Sequence, residues 1–161
     1  MFVRVMNRKT AKAYSKQNNE YKTAIISITD IESENNDIDN RHGNIRSVLF
    51  LHFDDVEGNN ENCMDTNDAK KIMQFVNANK DKVDGFIVHC DAGVSRSAGV
   101  AAAIMKYLIN DDTQIFNNPR YCPNMHCYRM VLNAFFGEYD DDEIKAKEAH
   151  NIELWLKAND L

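Results

Sequence analysis

One short stretch of the sequence places a thiol and a guanidinium where both can reach the same anion. Cys90 follows a short apolar run, and Arg96 stands at the start of an alanine-rich segment. The stretch reads His89-Cys90-Asp91-Ala92-Gly93-Val94-Ser95-Arg96-Ser97. When a strand enters such a loop and a helix leaves it, the backbone N–H groups and the positive end of the helix point at one centre. The pattern therefore predicts an anion-binding loop with a cysteine at its mouth.

The residue types indicate which chemistry this loop performs. A helix N-terminus and a nearby cation favour the thiolate, so we expect Cys90 to be substantially ionised near neutral pH. The planar fork of Arg96 matches two oxygens of a phosphate, and Gly93 permits a tight turn. The indicated reaction is attack of sulfur on phosphorus. The alternative, a buried structural cysteine beside a helix cap, leaves a cation in the first turn of a helix unexplained.

These residues resemble the signature of the cysteine-dependent protein tyrosine phosphatase superfamily, in which His-Cys is followed by five residues, Arg, and then Ser or Thr. Here residues 91–95 are the five, and Ser97 fills the last place. Ala92-Gly93 and Ser95-Arg96-Ser97 look most like the dual-specificity branch, and the short chain favours its compact group, including bacterial members. The resemblance covers residues 45–137, and the loop carries nearly all of its specificity.

The resemblance implies a role for each residue of the loop. Cys90 is the nucleophile, Arg96 binds phosphate, and Ser97 donates a hydrogen bond to the Cys90 sulfur. His89 holds the shape of the loop and does not act as a base. The substrate phosphate is expected to lie against Asp91, Ala92, Gly93, Val94, Ser95 and Arg96. The structural alternatives are a core histidine at a strand end for His89 and a helix N-cap for Ser97.

Members of this superfamily use an upstream aspartate to protonate the leaving group. Asp54 and Asp55 follow an apolar run, and two adjacent carboxylates in an extended loop point in different directions. Aligning residues 51–55 with the family pattern of apolar, any, apolar, any, Asp selects Asp55. Asp54 is the second choice and Glu57 the third, and the remaining alternative is that both aspartates are solvated loop residues.

The elements around these motifs predict an α/β fold. Short apolar or β-branched runs predict strands at 2–6, 23–28, 48–53 and 85–89, with the run at 48–53 buried on both faces. Helical spacing predicts helices at 10–17, 66–79, 97–109, 124–136 and 143–157. Residues 30–43 and 54–65 read as loops, and Asn124 reads as a helix cap. The alternation predicts a single domain over 1–161, with a mainly parallel four- to five-stranded sheet flanked by helices on both faces, like protein tyrosine phosphatases.

Composition limits the partners that we expect. The chain has 161 residues, a hydrophobic fraction of 43%, and a net charge of −6 without a basic stripe, so nucleic acid is not expected. No segment has the roughly 18 apolar residues of a membrane helix, and no signal peptide is apparent, so we expect a cytoplasmic protein. Four cysteines are too few for a disulfide scaffold. Cys122, His126 and Cys127 supply only three ligands, so neither a metal nor another cofactor is expected.

The expected activity is hydrolysis of a phosphomonoester through a phosphocysteine intermediate. The expected substrates are phosphotyrosine or phosphoserine/threonine proteins, or a small phosphoester, and oxyanions such as phosphate and vanadate should inhibit. Asp91 adds negative charge at the mouth, which disfavours phosphoinositide head groups. Two alternatives remain open: a non-catalytic module that binds phosphorylated partners, and a rhodanese-type sulfurtransferase, in which a cysteine loop also precedes a helix.

Overall fold

Four parallel strands form the sheet of a computed structural model that describes residues 1–34, 37–41, 43–58 and 60–161. The strands are β1 (Phe2–Asn7), β2 (Thr23–Thr29), β3 (Ile45–His52) and β4 (Gly85–Cys90). Their order is β1-β4-β2-β3, and each neighbouring pair is parallel. The strand that ends at Cys90 therefore lies inside the sheet, between β1 and β2. The predicted loops at 30–43 and 54–65 include residues 35, 36, 42 and 59, which lie outside the described residues.

Helices cover both faces of this sheet, which confirms the predicted architecture. On one face lies α1 (Arg8–Ser15), and on the other lie α2 (Thr66–Asn79), α3 (Arg96–Ile109) and α5 (Met125–Phe136). The short α4 (Thr113–Phe116) and the long α6 (Asp141–Ala158) complete the described part of the chain. None of these helices is long and apolar enough to cross a membrane.

Strand alternation divides the core into two clusters. Ile26 and Val88 point into the larger cluster with α2, α3 and α5, whereas Ile25 and Ile87 point into the smaller cluster with Ala11 of α1. All five side chains are fully buried. Burial of a large aliphatic side chain stabilises the fold by about 1.5–3 kcal/mol, so the two central strands are anchored from both faces.

Side-chain caps fix where the helices begin. Asn7 accepts a hydrogen bond from the Thr10 amide at 2.8 Å, and α1 therefore begins at residue 8, two residues before the predicted start. Asp65 and Asp68 form a reciprocal capping box at the start of α2, whose bounds agree with the prediction. Helix α4 was not predicted, because four residues are too few to show a helical period.

The prediction that the run at 48–53 is buried on both faces is wrong. β3 is an edge strand, and the Phe50 side chain is 41% exposed, whereas Leu51 is only 2% exposed. An apolar run reports the hydrophobicity of a strand but not its position in the sheet. Here several of its large side chains are only partly covered.

Two substitutions in β3 test this edge position. We expect Leu51→Ala to lower the free energy of unfolding by about 2–5 kcal/mol, because it leaves a cavity in the core. Phe50→Thr should change the free energy by less than about 1 kcal/mol, since the side chain is partly solvated and threonine suits a strand. Urea unfolding of both variants measures the difference. Equal losses would contradict the edge assignment.

Candidate active site

The candidate site lies where the carboxyl ends of three neighbouring strands meet. Cys90 ends β4, Asp30 directly follows β2, and Asp55 lies three residues beyond the end of β3. In sheets of parallel strands this edge is where loops build ligand sites. The fold thus brings together residues that are far apart in the sequence.

The loop after Cys90 fits closely against the end of β1. Gly93 has a φ of 67°, which favours glycine, and a Cβ at this position would lie 2.6 Å from the Asn7 nitrogen. The Arg8 amide also donates a hydrogen bond to the Asp91 carbonyl oxygen at 3.1 Å. Any other residue at 93 would be strained and would collide with backbone, so the tight turn of the loop depends on this glycine.

The Cys90 sulfur lies within hydrogen-bond reach of a hydroxyl group. Cys90 is 2% exposed, and its Sγ lies 3.0 Å from the Ser97 Oγ. The N-cap position of α3 is occupied by Ser95, whose side chain makes no capping hydrogen bond. Ser97 is therefore not the helix cap, and its hydroxyl is placed to donate to a thiolate at Cys90.

The Arg96 side chain is buried and held from one edge of its guanidinium. Its Nη1 donates to the Asp30 Oδ1 at 2.7 Å and to the Phe53 carbonyl oxygen at 2.8 Å. Its Nη2 makes a longer contact with Asp91, at 3.3 Å, and the buried Nε has no hydrogen-bond partner among the described residues. Burial would lower the pKa of Arg96, but the negative charges of Cys90 and Asp30 outweigh it and hold the pKa above its ordinary value. The Nε–Nη2 edge presents two N–H donors side by side, an arrangement that matches two oxygens of an oxyanion.

His89 is fully buried beside the loop and links two central strands. Its Nε2 lies 2.6 Å from the Ser27 Oγ of β2, and its Nδ1 lies 3.4 Å from the Cys90 carbonyl oxygen. Burial lowers the pKa of His89, which favours the neutral ring. In the neutral ring, Nδ1–H faces the carbonyl and Nε2 accepts from Ser27. The core-histidine and loop-supporting interpretations therefore describe the same contacts.

The three candidate acids face different partners. The Asp55 Oδ1 accepts hydrogen bonds from the Ser95 hydroxyl at 2.8 Å and from the Asn124 amide at 2.9 Å. The Asp54 Oδ1 accepts from the Ile31 backbone amide at 3.1 Å. Glu57 accepts from the backbone amide of Met125 at 2.8 Å, at the start of α5. Among these carboxylates, Asp55 is the one seen in contact with the cysteine loop.

Sequence reasoning missed two residues that hold this arrangement. Asp30 pairs with Arg96, although nothing in the loop at 30–43 distinguished it from its polar neighbours. Asn124 caps α5 through its Oδ1, as predicted, and also holds Asp55 through its Nδ2. A proline followed by asparagine signals a helix start, but no local pattern reveals a partner 69 residues away.

Arg8 connects the loop to α1 and was also not predicted as a site residue. Its guanidinium donates to Asp91 at 3.3 Å and to the Ser33 hydroxyl at 2.9 Å, and it forms an ion pair with Asp37. Asp91 thus bridges two arginines, one in α1 and one in α3. The two arginines balance the charge of Asp91. Asp91 therefore links α1 and α3, in addition to the negative charge that the sequence predicted at the mouth of the loop.

Two of the remaining cysteines contact the site through their backbone amides: Cys122 donates to the Val94 carbonyl oxygen at 3.1 Å, and Cys127 donates to the Asn124 Oδ1 at 3.0 Å. Cys127 is 1% exposed, and burial raises the pKa of its thiol. The neighbouring His126 has its Nε2 2.8 Å from the Met64 carbonyl oxygen. Within the described residues, no three His, Cys, Asp or Glu side chains are grouped so that they could hold a metal ion.

Comparison with known proteins gives distant structural likenesses only. No family model matches the chain, and no curated protein does. The chain is similar to Tk-PTP in its active form, with 13% identity, coverage of 95% of this chain and 89% of that one, and a TM-score of 0.46. It is also similar to the Yvh1 phosphatase domain from Chaetomium thermophilum, with 17% identity, coverage of 98% and 90%, and a TM-score of 0.41. Likeness at this level says nothing about activity, so the chemistry of the site has to indicate the function.

The neutral state of His89 predicts a pH-dependent stability. Since the folded protein lowers the pKa of His89, the unfolded chain takes up a proton first as the pH falls. The contribution of the neutral His89 ring to the free energy of unfolding is therefore complete above about pH 6.5, and it is lost as the pH falls below that value. We expect urea unfolding to show a larger loss between pH 7.5 and 5 in the parent than in His89→Gln. A difference between the two proteins that does not change with pH would contradict the neutral ring.

Proposed function

We propose that this chain hydrolyses phosphomonoesters through a phosphocysteine intermediate, as members of the protein tyrosine phosphatase superfamily of the compact dual-specificity-like type do. The observation that carries the proposal is the buried Arg96, which follows the cysteine loop at the start of α3 and whose Nε has no hydrogen-bond partner among the described residues. A buried guanidinium with a free donor is suited to bind an anion. A sulfur beside that anion is suited to attack it.

In the first step, the Cys90 thiolate attacks phosphorus while the bond to the leaving oxygen breaks. A protonated Asp55 gives its proton to that oxygen, so that an alcohol or phenol departs. Arg96 and the amides of residues 91–95 stabilise the charge on the transferring phosphoryl group. In the proposed mechanism, Ser95 and Asn124 hold Asp55 toward the loop.

In the second step, water attacks the phosphocysteine and the sulfur departs as a thiolate. The Asp55 carboxylate takes a proton from the water, which restores the acid for the next cycle. The Ser97 hydroxyl, 3.0 Å from the sulfur, donates a hydrogen bond to the departing thiolate. No cofactor or metal is used in either step.

The contacts around the loop favour this reaction over the two alternatives. A module that only binds phosphorylated partners does not need the Asp55 carboxylate that is hydrogen-bonded to the loop. It also does not need the Ser97 hydroxyl within hydrogen-bond distance of the Cys90 sulfur. A rhodanese-type transferase carries a single sulfur atom and does not need a bidentate guanidinium. The proposed substrates are phosphotyrosine or phosphoserine/threonine proteins or a small phosphoester, and phosphate and vanadate are the proposed inhibitors. A cytoplasmic location, without nucleic-acid or membrane partners, remains a prediction.

A synthetic aryl phosphate tests the activity. We expect the purified protein to hydrolyse p-nitrophenyl phosphate in the presence of EDTA, and Cys90→Ser to abolish turnover because the nucleophile is lost. Thiosulfate–cyanide turnover should not be detected. Loss of activity on chelation, or full activity of Cys90→Ser, would contradict the phosphocysteine route.

Vanadate and phosphate provide the matching binding test. Both should raise the melting temperature of the parent and of Cys90→Ser, since Arg96 and the loop remain in the variant and a ligand of the folded state stabilises it. Binding in the absence of any turnover by the parent would instead support the non-catalytic module.

Neighbouring aspartates allow a controlled test of the acid. Asp55→Asn should reduce kcat on phenyl phosphate by about a hundred- to ten-thousand-fold and reduce it far less on p-nitrophenyl phosphate, which has a better leaving group. Asp54→Asn is the matched control and should leave the dependence on the leaving group intact. If Asp54→Asn alone alters that dependence, Asp54 is the acid and the mechanism otherwise stands. If neither variant does, the proton donor lies elsewhere.

A further inference from the structure

A cleft beside Arg96 is lined mainly by carboxylates, contributed by the segments that follow β2 and β3. It has a volume of about 730 Å³, and its acidic lining residues are Asp30, Glu32, Asp54 and Asp55. Of the described residues that line it, Arg96 is the single cation. A site for a phosphate ester is thus placed next to a wall that repels anions.

We propose that this cleft binds basic residues that flank the phosphorylated residue of a protein substrate, so that the enzyme prefers phosphopeptides with lysine or arginine beside the phosphoresidue. The inference rests on the proposed phosphatase activity and assigns its substrate class. Three observations support it: the free donor of Arg96, the charge balance around that donor, and the way in which the carboxylates are held.

An Arg96 donor without a partner among the described residues is suited to bind an anion beside the cleft. The Arg96 side chain is 5% exposed, and its buried Nε has no hydrogen-bond partner among the described residues. This nitrogen is on the edge that faces away from the Nη1 contacts with Asp30 and Phe53. In the proposed complex, an oxyanion of the substrate supplies the acceptor that the described residues do not provide for this nitrogen.

The charge balance changes when that anion arrives. Without substrate, Arg96 compensates Asp30 at 2.7 Å and, more weakly, Asp91 at 3.3 Å. A bound phosphate dianion takes up the same guanidinium charge. Asp30, Glu32 and Asp54 then form an uncompensated negative wall, whereas Asp55 is protonated in the proposed mechanism and carries no charge. Arg8 does not relieve this charge, because it is already paired with Asp37 and Asp91. A cation carried by the substrate restores the balance.

The carboxylates are held in a way that suits peptide cations better than a metal ion. Asp54 accepts from the Ile31 amide at 3.1 Å, which ties the two walls together, and Asp55 is engaged by Ser95 and Asn124. Within the described residues they do not converge into a group that could hold a metal ion. Carboxylates spread along a cleft match ammonium or guanidinium groups spread along a peptide. Such cations arrive at high effective concentration, because the phosphate anchors the same molecule.

The test compares two phosphotyrosine peptides that differ only in the flanking residues, lysine and arginine in one and glutamate and aspartate in the other. Each is measured as a competitive inhibitor of p-nitrophenyl phosphate hydrolysis, so that binding is read whether or not the peptide turns over. We expect the basic peptide to bind at least about tenfold more tightly at low salt, and the ratio to fall as salt is added. Glu32→Gln should reduce the ratio by about two- to fivefold, the size of one exposed ion pair.

Glu20→Gln is the matched control. Glu20 is an exposed glutamate that precedes β2, at the opposite edge of the sheet from the site, and its substitution should leave the peptide ratio unchanged. A ratio near one, competition by neither peptide, or an equal effect of Glu20→Gln and Glu32→Gln would overturn the inference while p-nitrophenyl phosphate turnover persists. If millimolar Mg²⁺ abolishes the preference while sodium chloride of equal ionic strength does not, the cleft is a metal site and the inference is also overturned. Absence of p-nitrophenyl phosphate turnover would instead count against the phosphatase activity itself.

Discussion

A buried positive charge at the start of a helix is the constraint on which the rest of the site depends. Arg96 is 5% exposed and belongs to the first turn of α3, where the helix dipole disfavours a cation. Such a charge is tolerated only if it is paired and hydrogen-bonded. The partners come from three directions: Asp30 after β2, the Phe53 carbonyl after β3, and Asp91 in the loop after β4. One side chain therefore fixes the relative positions of the ends of three strands.

The same helix positions Asp55, the proposed acid, through a second close approach between α3 and α5. A Cβ at Gly99 would lie 2.4 Å from the Asn124 carbonyl oxygen, so the start of α5 can pack this tightly on α3 only because residue 99 is glycine. Asn124 in turn donates to Asp55. The cysteine loop before α3 and the Asp55 carboxylate after β3 are thus held by contacts with the same part of the molecule.

Much of this fold follows from local signals in the sequence. The run at 66–79 is bounded by a capping box, and the run at 85–89 is short and apolar between polar turns, so both elements were predicted within one residue. The cysteine loop was also readable, because its residue types lie within nine positions. Contacts between segments that are far apart in the chain could not be predicted from the sequence. Asp30 and Arg96 are 66 residues apart, and Arg8 and Asp91 are 83 apart, so neither pair leaves a periodic or local pattern. The edge position of β3 was missed for the same reason, since it depends on strand order and not on composition.

In the proposed mechanism, the carboxylates around Arg96 set a balance between the binding of the substrate and the release of phosphate. Asp30 is in direct contact with Arg96, so an anion that enters meets repulsion from this carboxylate as well as attraction from the guanidinium. Weak binding of the substrate before reaction does not slow the phosphoryl-transfer step. The Arg96 guanidinium and the loop amides act most strongly on the charge that develops in the transition state of that step. After hydrolysis, inorganic phosphate keeps the contact with Arg96 but has no attached cations to compensate the carboxylates. In this proposal, a substrate with basic flanks is held more firmly than the product, and the carboxylates proposed to select the substrate also favour the departure of phosphate.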